Sequence, residues 1–310
     1  MLAVTSWPAG AAVCVSLAVA MVAVGTNIQH DANHNAFFAT KGQRRLTRAN
    51  RLAGLSISAI GGDPGRWIDG HVHLHHAAPN VVGTDFDIEL GLLARLAPDQ
   101  RRRPWHRYQH IYLWFVYAFT AFGIFAGDVI GILGETVTGD RRGKRPCSRQ
   151  ITTLLAGKSL FAGTMIGLPV LRHGVAATVI GAVGVFALVG LLLGIIFQLA
   201  HAVTETTFRS AHDTAPVRWH EWQVLTAVDF CHGTGVAACV VTWLFGGLNY
   251  QTEHHLFPGL PHTAYPHIAA TVAATCADHG IRHQVHPTLR HALRAHYRHV
   301  RAMGCPLPAV

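Results

Sequence analysis

Long apolar stretches alternate with short polar clusters along this chain, and the stretch lengths predict helices. Residues 1–29 carry no charged side chain. Segment 9–29 is long enough to cross a bilayer, which takes about 20 apolar residues. A cleaved signal peptide would need a positive leading region, and none is present. Segments 151–171 and 175–200 predict two more spanning helices, separated by Arg172-His-Gly and therefore paired as a tight hairpin. Lys158, near the start of the first, is expected to snorkel to the interface. Segment 111–134 is apolar but contains Asp128, and 236–248 is apolar but short, so it reads as a buried or re-entrant helix. An amphipathic helix is predicted over 288–303, with Thr288 as N-cap. Leu289, Ala292, Leu293, Tyr297 and Val300 recur there at helical spacing, and Arg290, Arg294, Arg298 and Arg301 lie largely off that face. Such a helix rests on the rest of the domain or on the membrane surface. There is no repeat or low-complexity linker, so 1–310 reads as one domain.

Charge turns these helices into a topology. Charged residues make up 13% of the chain, against about 25% in soluble domains. Basic residues mark the cytoplasmic side of a membrane. Lys41, Arg44, Arg45, Arg48 and Arg51 follow the first apolar segment; Arg101, Arg102, Arg103 and Arg107 precede 111–134; Arg141, Arg142, Lys144, Arg145 and Arg149 follow it. Both flanks of 111–134 are then cytoplasmic, so this segment should dip in and return or lie in the interface. The expected fold is all-α: a polytopic membrane protein with a cytoplasmic helical cap. The net charge of +9 suits lipid headgroups or an acidic electron-transfer or carrier protein. No nucleic-acid motif accompanies it. Six cysteines show no CxxC spacing, which suits a reducing compartment and no structural zinc.

Three histidine clusters border the apolar stretches: His30-Asp-Ala-Asn-His34, His71-Val-His-Leu-His75-His76 and Gln251-Thr-Glu-His254-His255. The charge pattern places all three on one membrane face, where polar clusters are expensive unless something binds them. Residues four apart share a helix face, so His30 and His34 should meet one metal region, and His71 and His75 should repeat that geometry. Adjacent histidines point about 100° apart, so His75-His76 and His254-His255 can each reach two ions. A histidine-rich dimetal site follows. His201, closing Phe197-Gln-Leu-Ala-His201, would alone read as an interfacial histidine; beside these clusters it reads as a ligand. Asp31 and Glu253 are expected to orient imidazole N–H groups. The donor count points to iron. A closed structural zinc site takes four ligands, a hydrolytic one wants HExxH, and His220-Glu-Trp-Gln-Val fails that pattern.

In their order and spacing, His30–His34, His71–His76 and Gly246-Gly-Leu-Asn-Tyr-Gln-Thr-Glu-His-His-Leu-Phe-Pro258 resemble the membrane fatty acid desaturases, in the bacterial acyl-lipid or linoleoyl-CoA desaturase-like branch. Asn50–Ser56, Asn80–Asp87, Trp105–His110, Phe197–His201 and the tail from Leu256 to Gly304 resemble that branch too, so the likeness covers nearly the whole chain. It implies a non-haem diiron centre that uses O2 to remove two hydrogens from an acyl chain on lipid, CoA or acyl carrier protein. The implied metal ligands are His30, His34, His71, His75, His76, His201, His254 and His255, with Gln251 in place of a histidine, binding directly or through water. It also implies an integral protein of the bacterial inner membrane with its active site on the cytoplasmic face. The chemistry is coherent without the likeness, because an unactivated methylene has no acidic proton and its oxidation needs a redox cofactor.

Some residues depart from that branch. Only 29 residues precede His30, where the family often has another spanning segment, so either the start lies upstream or the chain makes three crossings with an exported N-terminus. Val72 stands where Asn is usual. His73 adds an imidazole expected to be solvated or to support the site from outside. Trp222 stands where a histidine often precedes glutamine, and Ala77-Ala-Pro79 is less bulky than usual. These changes bear on substrate and regiochemistry more than on metal. No cytochrome-b5-like segment is present, so electrons are expected from an external donor, with acidic ferredoxin the first choice for a basic surface. Hydroxylation, epoxidation or acetylenic bond formation on the same scaffold is the alternative outcome. A membrane metal transporter is the non-enzyme alternative, but it would place ligands at mid-membrane.

Overall fold

The computed structural model describes residues 6–38, 44–138, 145–213 and 216–306. Lys41, Arg141, Arg142 and Lys144 of the basic runs lie outside them. Helices dominate, and the strands among the described residues are two parallel pairs of two residues each, Val81–Val82 with Arg209–Ser210 and Asp229–Phe230 with Val285–His286. The all-α expectation holds.

Among the described residues, three helical runs are long and apolar enough to cross a membrane: Trp7–Asn33, Thr120–Val137 and Ser148–His201. The last is a hairpin. Gly174 breaks it with φ 75° and ψ 171°, a left-handed position that glycine takes without a Cβ clash. Phe161 of the first arm meets Phe186 of the second at 5.0 Å between ring centroids, so the arms run back on one another. Ala18, Met21 and Val22 join Val185, Val189 and Ile196 in the largest apolar cluster.

The segment at 111–134 is two helices, Gln109–Tyr117 and Thr120–Thr138, which meet at Ala118-Phe119. Small residues admit them to the hairpin. A Cβ added at Gly190 would lie 2.6 Å from the Ala118 carbonyl oxygen, and one at Gly194 would lie 2.8 Å from Tyr117 Cβ. Close backbone approach at glycine is a principal source of helix association in lipid. Gly190→Val is therefore expected to destabilise the protein by about 1–3 kcal/mol through overpacking. Gly184→Val, where a Cβ meets nothing within 4 Å, should be near neutral. Thermal melts in detergent check this, and equal melting points for the two variants would refute it.

Lys158 does not snorkel. Its Nζ donates to Asp128 Oδ2 at 2.8 Å and to the Gly61 carbonyl at 2.6 Å, and it lies 4.2 Å from the Phe125 ring centroid. A carboxylate within reach offers more than distant water does, so two charges inside apolar helices are met by each other. The short apolar segment also differs from a buried helix. Helix Val236–Leu244 buries Ala238 and Val241 but exposes Val236, Val240 and Trp243, because its outward face has no protein partner among the described residues.

The rest of the chain forms a cap at the end of the hairpin that carries His201. Its C-terminal helix, Leu289–Gly304, is capped by Thr288, whose hydroxyl accepts from the His291 N–H at 3.3 Å. Two buried histidines fasten it. His296 donates through Nδ1 to the Ala202 carbonyl at 2.7 Å, which leaves Nε2 to accept from the Tyr117 hydroxyl at 2.8 Å. His299 donates through Nε2 to the Leu96 carbonyl at 2.7 Å. Burial pulls both imidazoles down to about 4 from the ordinary 6.5. Unfolded chain then binds more protons than folded chain between these values, so the stability is full above pH 6.5 and is lost as pH falls through about 4. At pH 5 the loss is roughly 2 kcal/mol per imidazole. Amide exchange over 289–304, corrected for its intrinsic pH dependence, should be much faster at pH 5 than at pH 7.5. Unchanged protection would sink this reading.

Candidate metal centre

Local backbone geometry decides where each histidine points. His30 follows a π-helical turn, Val24–Gln29, and His71 and His75 lie within another, Ile68–His75. Such wide turns recur at functional sites. With i→i+5 bonding, four residues fall short of a full turn, whereas in an α-helix they overshoot it. His71 and His75 stay within reach of each other, and with Asp87 they form a group whose ligand atoms lie within 4.8 Å, but the wider turn also lets each join a separate histidine group. His71 joins His30, His34 and His254, whereas His75 joins His201 and His255; within each group the ligand nitrogens lie within 4.8 Å of one another. His30 and His34 do share a group. His254 and His255, adjacent in sequence, go one to each. His76 sits between them, with its ring centroid 4.6 Å from that of His254 and 4.5 Å from that of His255. Gln251 lies beside the second group, its amide nitrogen 2.8 Å from His201 Nε2. His73 is turned away and solvated, with its side chain 64% exposed against Asp69.

Hydrogen bonds fix the tautomers in the second group. His75 Nδ1 donates to both oxygens of Asp85 at 3.1 Å. His201 Nδ1 donates to the Thr226 carbonyl at 2.9 Å, and His255 Nδ1 to Gln223 Oε1 at 2.7 Å. In a neutral ring the opposite Nε2 is then an acceptor, and that of His201 also faces the Gln251 amide nitrogen. Yet His75 Nε2 and His255 Nε2 lie 3.3 Å apart, and His255 Nε2 and His201 Nε2 lie 3.2 Å apart. Acceptor nitrogens at that separation need a proton or a metal ion between them, and roughly 3 Å is the spacing of nitrogens around one ion at bonds of about 2.1 Å. The donor set fits a transition metal.

The first group tells the same story through orphaned atoms. His30 Nδ1, His34 Nε2, His254 Nε2 and both ring nitrogens of His76 are buried without a hydrogen-bond partner among the described residues. His30 Nε2 and His71 Nε2 lie 3.3 Å apart. His254 Nδ1 donates to the Tyr265 hydroxyl at 3.1 Å, which in turn donates to the Leu260 carbonyl. Trp67 stacks on His71 at 4.5 Å and closes one side. Burial, and then neighbouring imidazoles, hold His71, His76, His254 and His255 well below the usual histidine range, so they are neutral donors at physiological pH. His75 is the exception: burial opposes its charge, but Asp85 and Asp87 outweigh that and raise it to about 9.

The carboxylates expected to orient the imidazoles hold none of the clustered histidines by a hydrogen bond. Asp31 Oδ2 accepts from His262 Nδ1 at 2.7 Å and from its backbone N–H at 3.0 Å, and its other oxygen stays 3.9 Å from His30 Nδ1. Glu253 makes no hydrogen bond to an imidazole. The orienting groups are Asp85, Gln223, Tyr265 and the Thr226 carbonyl. Asp85 lies inside the Asn80–Asp87 segment and Gln223 directly follows Trp222, so both stood in segments the likeness had marked. A backbone carbonyl leaves no residue signature at all.

Comparison with known proteins agrees with this geometry. The family model for fatty acid desaturase matches residues 5–300. The sn-1 linoleoyl-lipid 6-desaturase of Arthrospira platensis is 35% identical over 293 residues, covering 94% of this chain and 77% of that protein. Its counterpart in Synechocystis is 31% identical over 295 residues, covering 94% and 79%. The acyl-lipid (8-3)-desaturase of Physcomitrium patens is 32% identical over 292 residues, covering 91% and 58%. With its apolar helices and its converging histidines, the chain belongs to the fatty acid desaturase family and is a membrane oxidoreductase acting on fatty acyl chains.

Proposed function

We propose that this desaturase acts on acyl chains carried in membrane lipid, using two iron ions. One is held by His30, His34, His71 and His254, the other by His75, His201 and His255, with His76 between them and Gln251 beside His201. The observation that carries this reading is the convergence of buried imidazole nitrogens from separate stretches of the chain, with Nε2 atoms 3.2–3.3 Å apart in the second group. The lipid-bound substrate is supported by the relatives, which are named for acyl-lipid or linoleoyl-lipid substrates.

Bound there, iron supplies the one-electron chemistry with O2 that side chains lack. The protein orients the donors: Asp85, Gln223, Tyr265 and the Thr226 carbonyl each hold an Nδ1–H and aim the opposite nitrogen inward. Burial excludes water that would intercept reactive species. The overall balance is one –CH2–CH2– unit, O2, two electrons and two protons giving –CH=CH– and two waters. The electrons come from a separate acidic protein, for which ferredoxin is the choice. The exposed Arg290, Arg294, Arg298 and Arg301 of the C-terminal helix form a basic stripe suited to it.

The site faces the cytoplasm in this reading, and the chain lies in a bacterial inner membrane. Both ends of the 109–138 pair of helices return to the cap, which supports a dip in preference to a crossing. Gln109 Nε2 donates to the Arg95 and Val300 carbonyls, and Glu135 pairs with Arg66 at 2.7 Å. Reporters inserted after residues 150 and 205 should both read cytoplasmic, and a periplasmic signal at 150 would refute the dip.

The deciding test of function is mass spectrometry of lipids and free acids from a host expressing the chain with ferredoxin and its reductase. Acyl chains lighter by two hydrogens, found in the lipid fraction and absent with His255→Ala, are expected. Products confined to the free or carrier-bound pool would overturn the lipid assignment, and products heavier by one oxygen would overturn desaturation.

A further inference from the structure

A second cluster of ligating groups lies on the other side of the helix that carries His254 and His255. Asp229 stands in the short strand Asp229–Phe230, whose parallel partner Val285–His286 brings His283 alongside. Glu253 projects from helix Gln251–Leu256 toward them, and ligand atoms of Asp229, Glu253 and His283 all lie within 4.8 Å of one another. Asp229 Oδ1 accepts from the Thr252 N–H at 2.8 Å, and its Oδ2 accepts from His283 Nε2 at 2.7 Å. Glu253 is 0% exposed, yet neither of its oxygens meets an N–H or O–H donor among the described residues apart from any proton it shares with Asp229. A buried carboxylate facing a second carboxylate with no donor is costly, and natural sites resolve this with a proton or a cation. His232, stacked on Tyr250 at 3.8 Å, holds a buried, unpartnered Nε2 at 3.8 Å from Asp229 Oδ2.

We propose that Asp229, Glu253 and His283 form a third metal site, distinct from the histidine centre, for a single divalent cation. The donors are two carboxylate groups and one imidazole, with His232 in reserve, a mixed oxygen and nitrogen set suited to manganese, iron or zinc. Binding replaces the His283–Asp229 hydrogen bond with two metal bonds. The imidazole proton moves from Nε2 to Nδ1, and no electron is transferred. The two centres share one helix, since Glu253 and His254 are neighbours. A cation on Glu253 therefore anchors that helix from behind while His254 and His255 face the histidine centre.

Mn2+ is the probe, because first-row order ranks it below iron and it does not displace iron from imidazoles. Equilibrium dialysis and electron paramagnetic resonance on the full-length, iron-loaded protein should find one Mn2+ per chain with 14N coupling from imidazole. Glu253→Gln, nearly isosteric, should weaken binding at least tenfold with iron content unchanged. His283→Ala, at the rim of the cluster, should do the same and serves if Glu253→Gln fails to fold. No Mn2+ bound by the wild-type protein at millimolar concentration would overturn the proposal and leave a carboxyl–carboxylate hydrogen bond as the explanation. Mn2+ bound equally by wild type and both variants would overturn it as well.

Discussion

His255→Ala should strip the second group of its metal and reduce desaturation to background, while His73→Ala should leave both near wild type. His255 Nε2 is central to its group, at 3.3 Å from His75 Nε2 and 3.2 Å from His201 Nε2. Its ring also stacks on His76 at 4.5 Å. Alanine removes the one nitrogen that touches both partners and leaves two imidazoles too few to retain an ion against buffer. His73 lies between His71 and His75 in sequence, but its ring is in solvent. Metal analysis of the two purified variants, with product yield, makes the comparison. Full metal content and activity in His255→Ala would remove the proposed ligand set, and equal loss in His73→Ala would show that the outcome follows general damage.

Asp85→Asn should lower activity by about 10- to 100-fold, the usual cost of losing a group that orients a ligand, and metal content should fall with it. Asp85 is 0% exposed and accepts on both oxygens. Oδ2 takes the Asn80 N–H at 2.7 Å, Oδ1 takes the Asp87 N–H at 3.0 Å, and both receive His75 Nδ1 at 3.1 Å. An asparagine has one acceptor oxygen. Whichever way its amide is turned, the NH2 faces a backbone N–H, a clash of two donors in a buried place. His75 also loses the charge that raised its pKa to about 9. Asp85→Glu keeps the charge but moves it by one methylene, so it should recover part of the metal content and little of the rate. Wild-type rates in Asp85→Asn would show that His75 needs no orientation by this residue.

Much of the architecture was legible in the apolar run lengths, because a helix in lipid satisfies its own backbone and needs only length and composition to announce itself. The hairpin break was legible at Arg172-His-Gly, since glycine was the one residue there free to take a positive φ. The histidine set was legible by type. How the set divides was not, because the π-helical turn over Ile68–His75 lets His71 reach His30, His34 and His254, and His75 reach His201 and His255, while the two also share a group with Asp87. Lys158 and Asp128 were each visible as charges in apolar surroundings. Their pairing is a tertiary fact that depends on how 120–138 crosses the hairpin. The same holds for Asp31 and Glu253: proximity in sequence to a histidine suggested an imidazole partner, but the fold brought Asp31 to His262 and Glu253 to Asp229.

The order in which the site's parts occur along the chain has a consequence for its biosynthesis. His30 and His34 emerge first, His71 to His76 soon after, and His201 and His255 only when most of the chain has been made. Each histidine group draws on three separate stretches of sequence, so the first is complete only when residue 254, and the second only when residue 255, has left the ribosome. Until then the early histidines are exposed imidazoles beside an inserted helix, open to any metal at hand. Fidelity of metal loading is thus a matter of timing: the ion must be selected after translation, when the helix Gln251–Leu256 closes against the hairpin, and a chain truncated before that helix should insert in the membrane without retaining a metal.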